Sequence, residues 1–348
     1  MSERIPVSAV RPVNEVVLDR AVGALFGLAV GDALGMPTQY LPREVVRDRY
    51  GILSDFEPGP ADNELSVGMP AGRVTDDTDQ AVILGQLLVE GQGTIDEKEL
   101  SARLIAWEGR MRAAGSLDLL GPSTLKALHL VSEGVSPELT GRWGDTNGAS
   151  MRITPVGIAV PSEDLGRIVD AVEQASRVTH NTGIAIAGAS AIATAVSSGI
   201  DGTDLGTSIE RAVEAARLGA QRGHYVAGAD VADRIVWAQS LVAGLRPEKA
   251  LEVVYSLVGV GVATQEAVPA ALAIASLFPH DGWSACRYAA SLGGDCDTIA
   301  AMTGAIVCAH IGLSAIPTHI CAQLMTANPS IDLSGLATAL VDLRNPRS

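Results

Sequence analysis

The chain is poor in aromatic residues, which make up 3% of its 348 residues, while hydrophobic residues as a whole make up 47%. Strands favour aromatic and β-branched side chains, so this balance disfavours a β-sandwich and favours closely packed helices. The chain also lacks a linker-like segment that would divide it. We therefore expect one domain over residues 1–348, with its core at about 14–316.

Basic residues are outnumbered, with 25 Lys and Arg against 40 Asp and Glu and a net charge of −15. This charge would repel the phosphates of nucleic acid, so we expect no nucleic-acid partner. A small anionic ligand remains compatible with the charge, because a bound metal ion can attract it.

Targeting and membrane-spanning patterns are missing as well. Residues 1–12 contain no apolar stretch of the kind that signal peptides carry. The most tempting membrane segment, 299–316, contains His310 and begins beside acidic residues, which indicates a buried central helix instead. The 4 cysteines form no CxxC pair, as expected for core thiols in a reducing compartment. We predict a cytoplasmic protein with no membrane partner.

Two clusters of Asp and Thr each stand just ahead of an apolar segment with helical spacing. The first cluster contains Thr75, Asp76 and Asp77, and the second contains Asp295, Asp297 and Thr298. Asp and Thr at a helix start cap free N–H groups and interact favourably with the helix dipole, so either cluster alone is compatible with simple capping. Capping does not require so many oxygen ligands in so few positions.

The two clusters taken together favour a metal site. If they meet in space, their carboxylates share one cleft, and only a cation neutralises them without large pKa shifts. Carboxylate and hydroxyl oxygens are hard ligands, which favour Mg²⁺, Mn²⁺ or Ca²⁺ over zinc.

Glycines recur at every fourth position of the first helical segment, at Gly23, Gly27, Gly31 and Gly35. A glycine inside a helix costs roughly 1 kcal/mol relative to alanine, so this face predicts close contact with a central helix. Asp32 lies in the same segment, where it is either a supporting group near the metals or a polar position near the helix end.

Two further stretches are predicted to be loops. Residues 40–69 contain several prolines and glycines and are expected to form a long surface loop that could cover a substrate. Asn147, Gly148 and Ala149 carry little side-chain bulk, which suits backbone contacts to phosphate or ribose oxygens, although ordinary turn chemistry also explains them.

In their order along the chain, these motifs resemble the ADP-ribosylglycohydrolase family, which includes the dinitrogenase-reductase-activating glycohydrolases. The resemblance is carried by Gly27-Leu-Ala-Val-Gly-Asp-Ala-Leu-Gly35, Thr75-Asp-Asp-Thr78, Asn147-Gly-Ala-Ser-Met-Arg152, Thr179-His180 and Gly293-Gly-Asp-Cys-Asp-Thr298. It implies an all-α orthogonal helical bundle with a central dinuclear metal cleft. The implied activity is hydrolysis of the glycosidic bond at the anomeric carbon of an ADP-ribosyl group.

The same resemblance implies a role for individual residues. One Mg²⁺ would be held by Thr75, Asp76, Asp77 and Asp297, and a second by Asp295, Asp297 and Thr298, with Mn²⁺ as a possible substitute. The implied catalytic carboxylates are Asp76, Asp77 and Asp297, and the implied substrate contacts are Asn147, Gly148, Ala149, His180 and Gln39. The partner would be an ADP-ribose-like small molecule or an ADP-ribosylated protein.

Gln39 departs from the family pattern, which commonly has a glutamate four residues after the last glycine of the first-helix signature; in this chain the sequence reads Gly35-Met-Pro-Thr-Gln39. Glutamine offers a carbonyl oxygen but no charge, and it cannot act as a base. The variant resembles a bacterial branch and leaves three functions open. They are a Mg²⁺-dependent ADP-ribosylglycohydrolase, a metal-dependent N-ribosyl hydrolase of a small nucleoside-like metabolite, and a non-catalytic ADP-ribose-binding relative.

Overall fold

The computed structural model describes residues 15–115 and 120–344, and these ranges form helices without any β-strand. The predicted all-α class is therefore confirmed. Two isolated bridges, Thr146 with Ala263 and Thr182 with His224, join the irregular segments. The ends of the predicted domain, residues 1–14 and 345–348, lie outside the described residues.

Helices follow one another along the chain, most of them with short connections. They are α1 Glu15–Gly35, α2 Arg43–Arg49, α3 Asp76–Glu90, α4 Glu97–Ala113, α5 Pro122–Ser132, α6 Pro137–Thr140, α7 Gly148–Met151, α8 Thr154–Ala159, α9 Leu165–His180, α10 Gly183–Ile200, α11 Leu205–Gly219, α12 Val231–Val242, α13 Pro247–Val253, α14 Thr264–Leu277, α15 Gly282–Ala290, α16 Cys296–Ile311, α17 Thr318–Ala327 and α18 Leu333–Arg344. A π-helical turn, Val254–Val258, follows α13, and a 3₁₀ turn, Leu313–Ala315, follows α16.

The centre of the fold is the pair α1 and α16, whose backbones touch. A Cβ atom added to Gly31 would lie 2.1 Å from the backbone oxygen of Ala300, closer than real Cβ atoms ever come to another heavy atom. Such an approach requires glycine, because any side chain would separate the two helices. The predicted contact between the glycine face and a central helix is confirmed.

This packing also places the first acidic turn of α16. A Cβ atom on Gly35, the last residue of α1, would lie 2.3 Å from the Cα of Asp297. The end of α1 therefore touches the residue from which one carboxylate of the second cluster projects, and the backbone contact leaves that carboxylate little freedom to shift.

The predicted long loop over residues 40–69 is only partly a loop. Its first part contains α2, Arg43–Arg49, whose Val46 is fully buried. Further along, the backbone N–H of Leu53 donates to Ser291 Oγ at 3.0 Å. The prediction was wrong for this part because α2 is short and mostly charged, so its sequence shows no apolar period, although Val46 anchors it in the core.

One described helix, α10, is long and apolar enough to cross a membrane by length and composition. Within the structure, 94% of its span is buried. Its small residues let it pack closely among other helices, as core helices also do.

Candidate functional site

A cavity of about 440 Å³ opens where α3, α7 and α16 begin. Its volume falls within the roughly 300–1,000 Å³ that is usual for small-molecule sites. Its wall is formed by Gln39, Tyr40, Leu65, Asp76, Leu120, Gly121, Pro122, Thr124, Thr146, Asn147, Gly148, Met151, Val262, Asp295, Asp297 and Thr298.

Most of the predicted site residues meet at this cavity. Those that line it are Gln39, Asp76, Asn147, Gly148, Asp295, Asp297 and Thr298. Thr75 and Asp77 are buried beside them at the start of α3. Ala149 is buried within α7, which shows that the predicted loop is already helical at this point, and His180 is buried as the last residue of α9. Neither of these two lines the cavity, and their contact with substrate stays a prediction.

Asp32 holds the first cluster in place from the neighbouring helix α1. Its carboxylate accepts hydrogen bonds from the backbone N–H groups of Thr75 at 3.0 Å and Thr78 at 3.1 Å, and from both hydroxyls. These bonds satisfy N–H groups that the helix start leaves free. Asp32 therefore acts as a cap supplied from another helix, and it orients the Asp76-Asp77 turn.

The second cluster is tied both to the first cluster and to the segment before α7. Thr298 Oγ1 donates to Asp77 Oδ2 at 3.2 Å, which joins α16 to α3. Asn147 Nδ2 donates to Asp295 Oδ2. The two clusters do meet in space, although they lie far apart in the sequence.

Burial and mutual repulsion raise the pKa of these carboxyl groups. Burial, reinforced by the charges of Asp32 and Asp295, raises the pKa of Asp76 to about 8. Burial raises the pKa of Asp295 to about 6, while the hydrogen bond from Asn147 works in the opposite direction. Ionising all the carboxyl groups of the two clusters at once is therefore costly without a cation.

The pKa values of Asp77 and Asp297 also lie well above the usual range, because both groups are buried and each is repelled by neighbouring carboxylates. One oxygen of each, Oδ1, is buried without a hydrogen-bond partner. Buried polar atoms are normally satisfied, so these two oxygens suit an additional ligand.

A hard divalent cation fits this donor set, since all its atoms are carboxylate or hydroxyl oxygens. As the side chains stand, no three His, Cys, Asp or Glu residues within 15–115 and 120–344 form a group that could hold a metal ion. The predicted ligand set also includes the hydroxyls of Thr75 and Thr298, which are not among those residue types. The site suits a divalent cation because its donors are hard oxygens and because the Oδ1 atoms of Asp77 and Asp297 have no partner.

We expect the metal-free protein to lose stability as the pH rises from about 6.5 to about 8.5. Asp76, Asp77 and Asp297 have folded-state pKa values raised above the unfolded value of 3.8. Their contribution to stability is therefore complete below that value and is lost as the pH rises through the folded pKa, which is about 8 for Asp76. The buried His180 and His310 have lowered pKa values. They therefore reduce stability as the pH falls, but only below about pH 6.5.

Thermal melts in chelator-treated buffer across this range measure the effect. Repeating them with saturating Mg²⁺ is the control, because a bound cation keeps the carboxylates ionised and should flatten the dependence. A melting temperature that rises with pH in chelator would contradict the raised pKa values.

Gln39 reaches the same cavity. It is 2% exposed, its Nε2 has no hydrogen-bond partner, and its backbone oxygen accepts from Asn63 Nδ2 at 2.8 Å. The position at which this chain has glutamine instead of the family's common glutamate therefore lies at the cavity wall.

Tyr40 follows Gln39 and was not among the predicted site residues. Its φ of 57° is unusual for a residue other than glycine, and its side chain is 56% exposed beside the cavity. Backbone strain of this kind concentrates at functional sites. Only its position next to Gln39 could have drawn attention to it in the sequence.

None of the described residues that line the cavity is basic. Two buried polar residues, Gln80 and Arg152, lie behind Asp76 without lining the cavity, and sequence reasoning assigned them no role. Gln80 lies one helical turn after Asp76, a spacing that allows contact on one helix face and could have indicated it.

The chain is similar to known proteins in sequence and in fold. A family model described as ADP-ribosylglycohydrolase matches residues 14–348. Over 330 residues the chain is 36% identical to the Escherichia coli K12 protein called "Uncharacterized protein YegU", covering 94% of this chain and 98% of that one.

Two relatives with a stated activity match about half of the chain. The ADP-ribosyl-[dinitrogen reductase] glycohydrolase of Rhodospirillum rubrum is 29% identical over 168 residues, 47% of this chain and 52% of its own. The ADP-ribosylarginine hydrolase Tri1 of Pseudomonas putida is 33% identical over 181 residues, 49% of this chain and 44% of its own. A solved structure titled "ADP-ribosylglycohydrolase-related protein complex" superposes with a TM-score of 0.61 at 25% identity, covering 95% of this chain and 100% of that one.

Proposed function

We propose, because the chain belongs to the ADP-ribosylglycohydrolase family, that it is a Mg²⁺-dependent hydrolase of the glycosidic bond at the anomeric carbon of an ADP-ribosyl group. One observation carries the proposal: both acidic clusters and Asn147 meet at a single cavity. Unpartnered carboxylate oxygens on Asp77 and Asp297 complete the argument, since they suit a cation.

The residues that would hold two Mg²⁺ ions are those of the predicted set: Thr75, Asp76, Asp77, Asp295, Asp297 and Thr298. When bound, the ions would neutralise the cluster, bind ribose hydroxyls and bring a water molecule towards the anomeric carbon. Mn²⁺ has similar ligand preferences and should substitute.

The chain's own residues supply the remaining chemistry. Water adds to the anomeric carbon as the bond to the leaving group breaks, so positive charge develops on the sugar ring. Ionised carboxylates beside the ring stabilise that charge, and one of them accepts the proton of the attacking water. The leaving group takes up a proton as it departs. Asn147 holds the Asp295 carboxylate in one orientation, and the Asp32 cap does the same for the start of α3.

A second candidate, hydrolysis of a small N-ribosyl compound, is favoured by the charge of the cavity. ADP-ribose carries a diphosphate, whereas the described part of the cavity wall contains carboxylates and no basic side chain. A diphosphate there would depend on cations or on backbone N–H groups for its neutralisation. A small neutral riboside would not need that compensation.

Turnover of ADP-ribosylated peptides and of simple ribosides, each with Mg²⁺ and with chelator, tests the proposal. Metal-dependent release of ADP-ribose supports it, and turnover of ribosides alone favours the second candidate. If neither substrate class is turned over while calorimetry shows ADP-ribose binding, the protein is a non-catalytic relative and the proposal fails.

Gln39→Glu should tighten Mg²⁺ binding by roughly tenfold, because it adds an anionic ligand where an unpartnered amide now lies. Isothermal titration measures the affinity. Gln323→Glu, at an exposed position of α17, adds the same charge away from the cavity and should leave the affinity unchanged.

The same variant separates the two candidate functions. Increased turnover of an ADP-ribosylated peptide is expected if the glutamate restores a family-like site. Reduced turnover of a riboside is expected if the neutral amide is suited to a small compound. An unaltered Mg²⁺ titration would contradict a position of Gln39 near the metals.

A further inference from the structure

We propose that Arg152 and Gln80 are positioning residues. Arg152 acts through Gln80 to orient the Asp76 carboxylate on one side of the cleft. It acts through His180 to orient the Thr146-Asn147 segment on the other side. The part that concerns Asp76 rests on the proposed metal-dependent function. The part that concerns His180 does not, because a tautomer can be measured without metal or substrate.

The first branch runs from Arg152 to Asp76. Arg152 Nη1 donates to Gln80 Oε1 at 2.9 Å, and Gln80 Nε2 donates to Asp76 Oδ2 at 2.7 Å. A guanidinium group has donors only, so it accepts no bond from the amide and must face the amide oxygen. Arg152 thereby fixes which end of Gln80 is presented to the carboxylate.

The second branch runs from Arg152 to the segment before α7. Arg152 Nη2 donates to Thr179 Oγ1 at 2.6 Å, and this oxygen lies 2.8 Å from His180 Nδ1. On the other side of the ring, His180 Nε2 lies 3.1 Å from Thr146 Oγ1. Because Thr179 Oγ1 accepts from the charged Arg152, its O–H group is polarised and becomes a better donor, which favours donation of its proton to His180 Nδ1.

This arrangement favours one state of the histidine. With Nδ1 accepting, the neutral ring carries its proton on Nε2 and donates it to Thr146. Burial and the nearby Arg152 charge lower the pKa of His180 well below its usual value, in agreement with a neutral ring. The next residue after Thr146 is Asn147, which donates to Asp295.

The His180 ring also supports the loop sterically. A Cβ atom on Gly148 would lie 2.8 Å from His180 Cε1, so the ring fills the space behind that glycine. The position of the ring therefore limits how far the Asn147-Gly148 backbone can move away from the cavity. A side chain that only filled space in the core would not need a defined tautomer.

The charge of Arg152 is itself informative. The residue is 1% exposed, its bonded partners Gln80 and Thr179 are neutral, and its Nε has no partner. A buried charge without a directly paired carboxylate is costly, and an apolar residue would serve packing better. Its position behind Asp76 explains its presence, because a cation there reduces the repulsion inside the acidic cleft.

The test uses the full chain and two readouts: ring ¹⁵N chemical shifts of His180 in metal-free protein, and Mg²⁺ affinity by calorimetry. Gln80→Met should weaken Mg²⁺ binding by roughly tenfold and leave the His180 shifts unchanged. Thr179→Val should abolish the Nε2–H preference. Arg152→Met should change both.

Arg344→Met is the matched control. Arg344 is also buried, but it donates to the backbone oxygens of Gly157, Ile158 and Val160 and pairs with Asp201, away from the cleft. Its loss should lower stability and change neither readout.

Both branches are required, so failure of either one overturns the proposal: unchanged Mg²⁺ affinity in Gln80→Met, or wild-type ring shifts in Thr179→Val. These two variants decide the outcome even if Arg152→Met does not fold. If the wild-type protein binds no Mg²⁺, the proposed function fails, and the ring shifts alone then support or overturn the role of Arg152 towards His180.

Discussion

Asp297→Asn should reduce hydrolysis by roughly a hundredfold or more and remove most of the Mg²⁺-dependent rise in melting temperature. Asp297 is 4% exposed, lines the cavity and has an unpartnered Oδ1. It is also the one carboxylate that is predicted to bind both Mg²⁺ ions. Asparagine keeps the shape and the carbonyl oxygen but removes the charge that a divalent ion requires.

The metal-free protein should respond in the opposite direction. Because Asp297 is repelled by Asp295 and Asp32 in a buried cluster, its neutral replacement should raise the melting temperature in chelator. Melting curves of both proteins with and without Mg²⁺ therefore cross over, which simple damage to the fold would not produce.

Asp79→Asn is the control for this experiment. Asp79 belongs to the same first turn of α3, but it lines a separate cavity and accepts from Trp107 Nε1 at 2.8 Å. Its loss should leave the Mg²⁺-dependent stabilisation in place. Equal stabilisation of wild type and Asp297→Asn by Mg²⁺ would count decisively against the two-ion assignment.

Gly31→Ala should lower the free energy of unfolding by about 3 kcal/mol or more. The added methyl group would lie 2.1 Å from the backbone oxygen of Ala300, and backbone atoms cannot move aside as a flexible side chain can. Separating α1 from α16 would also shift Asp32 and Asp297 relative to each other, so Mg²⁺ binding should weaken in any protein that still folds.

Gly109→Ala is the matched control, since Gly109 lies in an exposed part of α4 with nothing within 4 Å of an added Cβ. There the same change should stabilise by roughly 0.5–1 kcal/mol, because alanine favours the helix. Denaturant unfolding of both variants gives the two free energies. A Gly31→Ala protein as stable as wild type would show that the helices are not in backbone contact.

Local features of the sequence were sufficient for the helical class, for the helix starts at the acidic clusters and for the glycine face. Each depends on residues within one or two turns of each other: apolar spacing, Asp at the first turn, and glycine at every fourth position. The periodic residues of α1 and α16 therefore predicted both helices, and the cost of glycine predicted the contact between them. Residues 40–69 were harder, because α2 is too short to show a period.

The tertiary structure alone decided how the clusters are held. Asp32 caps α3 from another helix, Thr298 joins α16 to α3, and His180 lies behind Gly148 instead of lining the cavity. The direction of a hydrogen bond and the pKa of a buried carboxylate depend on neighbours brought close by packing, at distances that spacing along the chain does not set. The residue types of the site were thus readable from the sequence, whereas the contacts by which they support one another followed only from the packing of α1, α3, α7, α9 and α16.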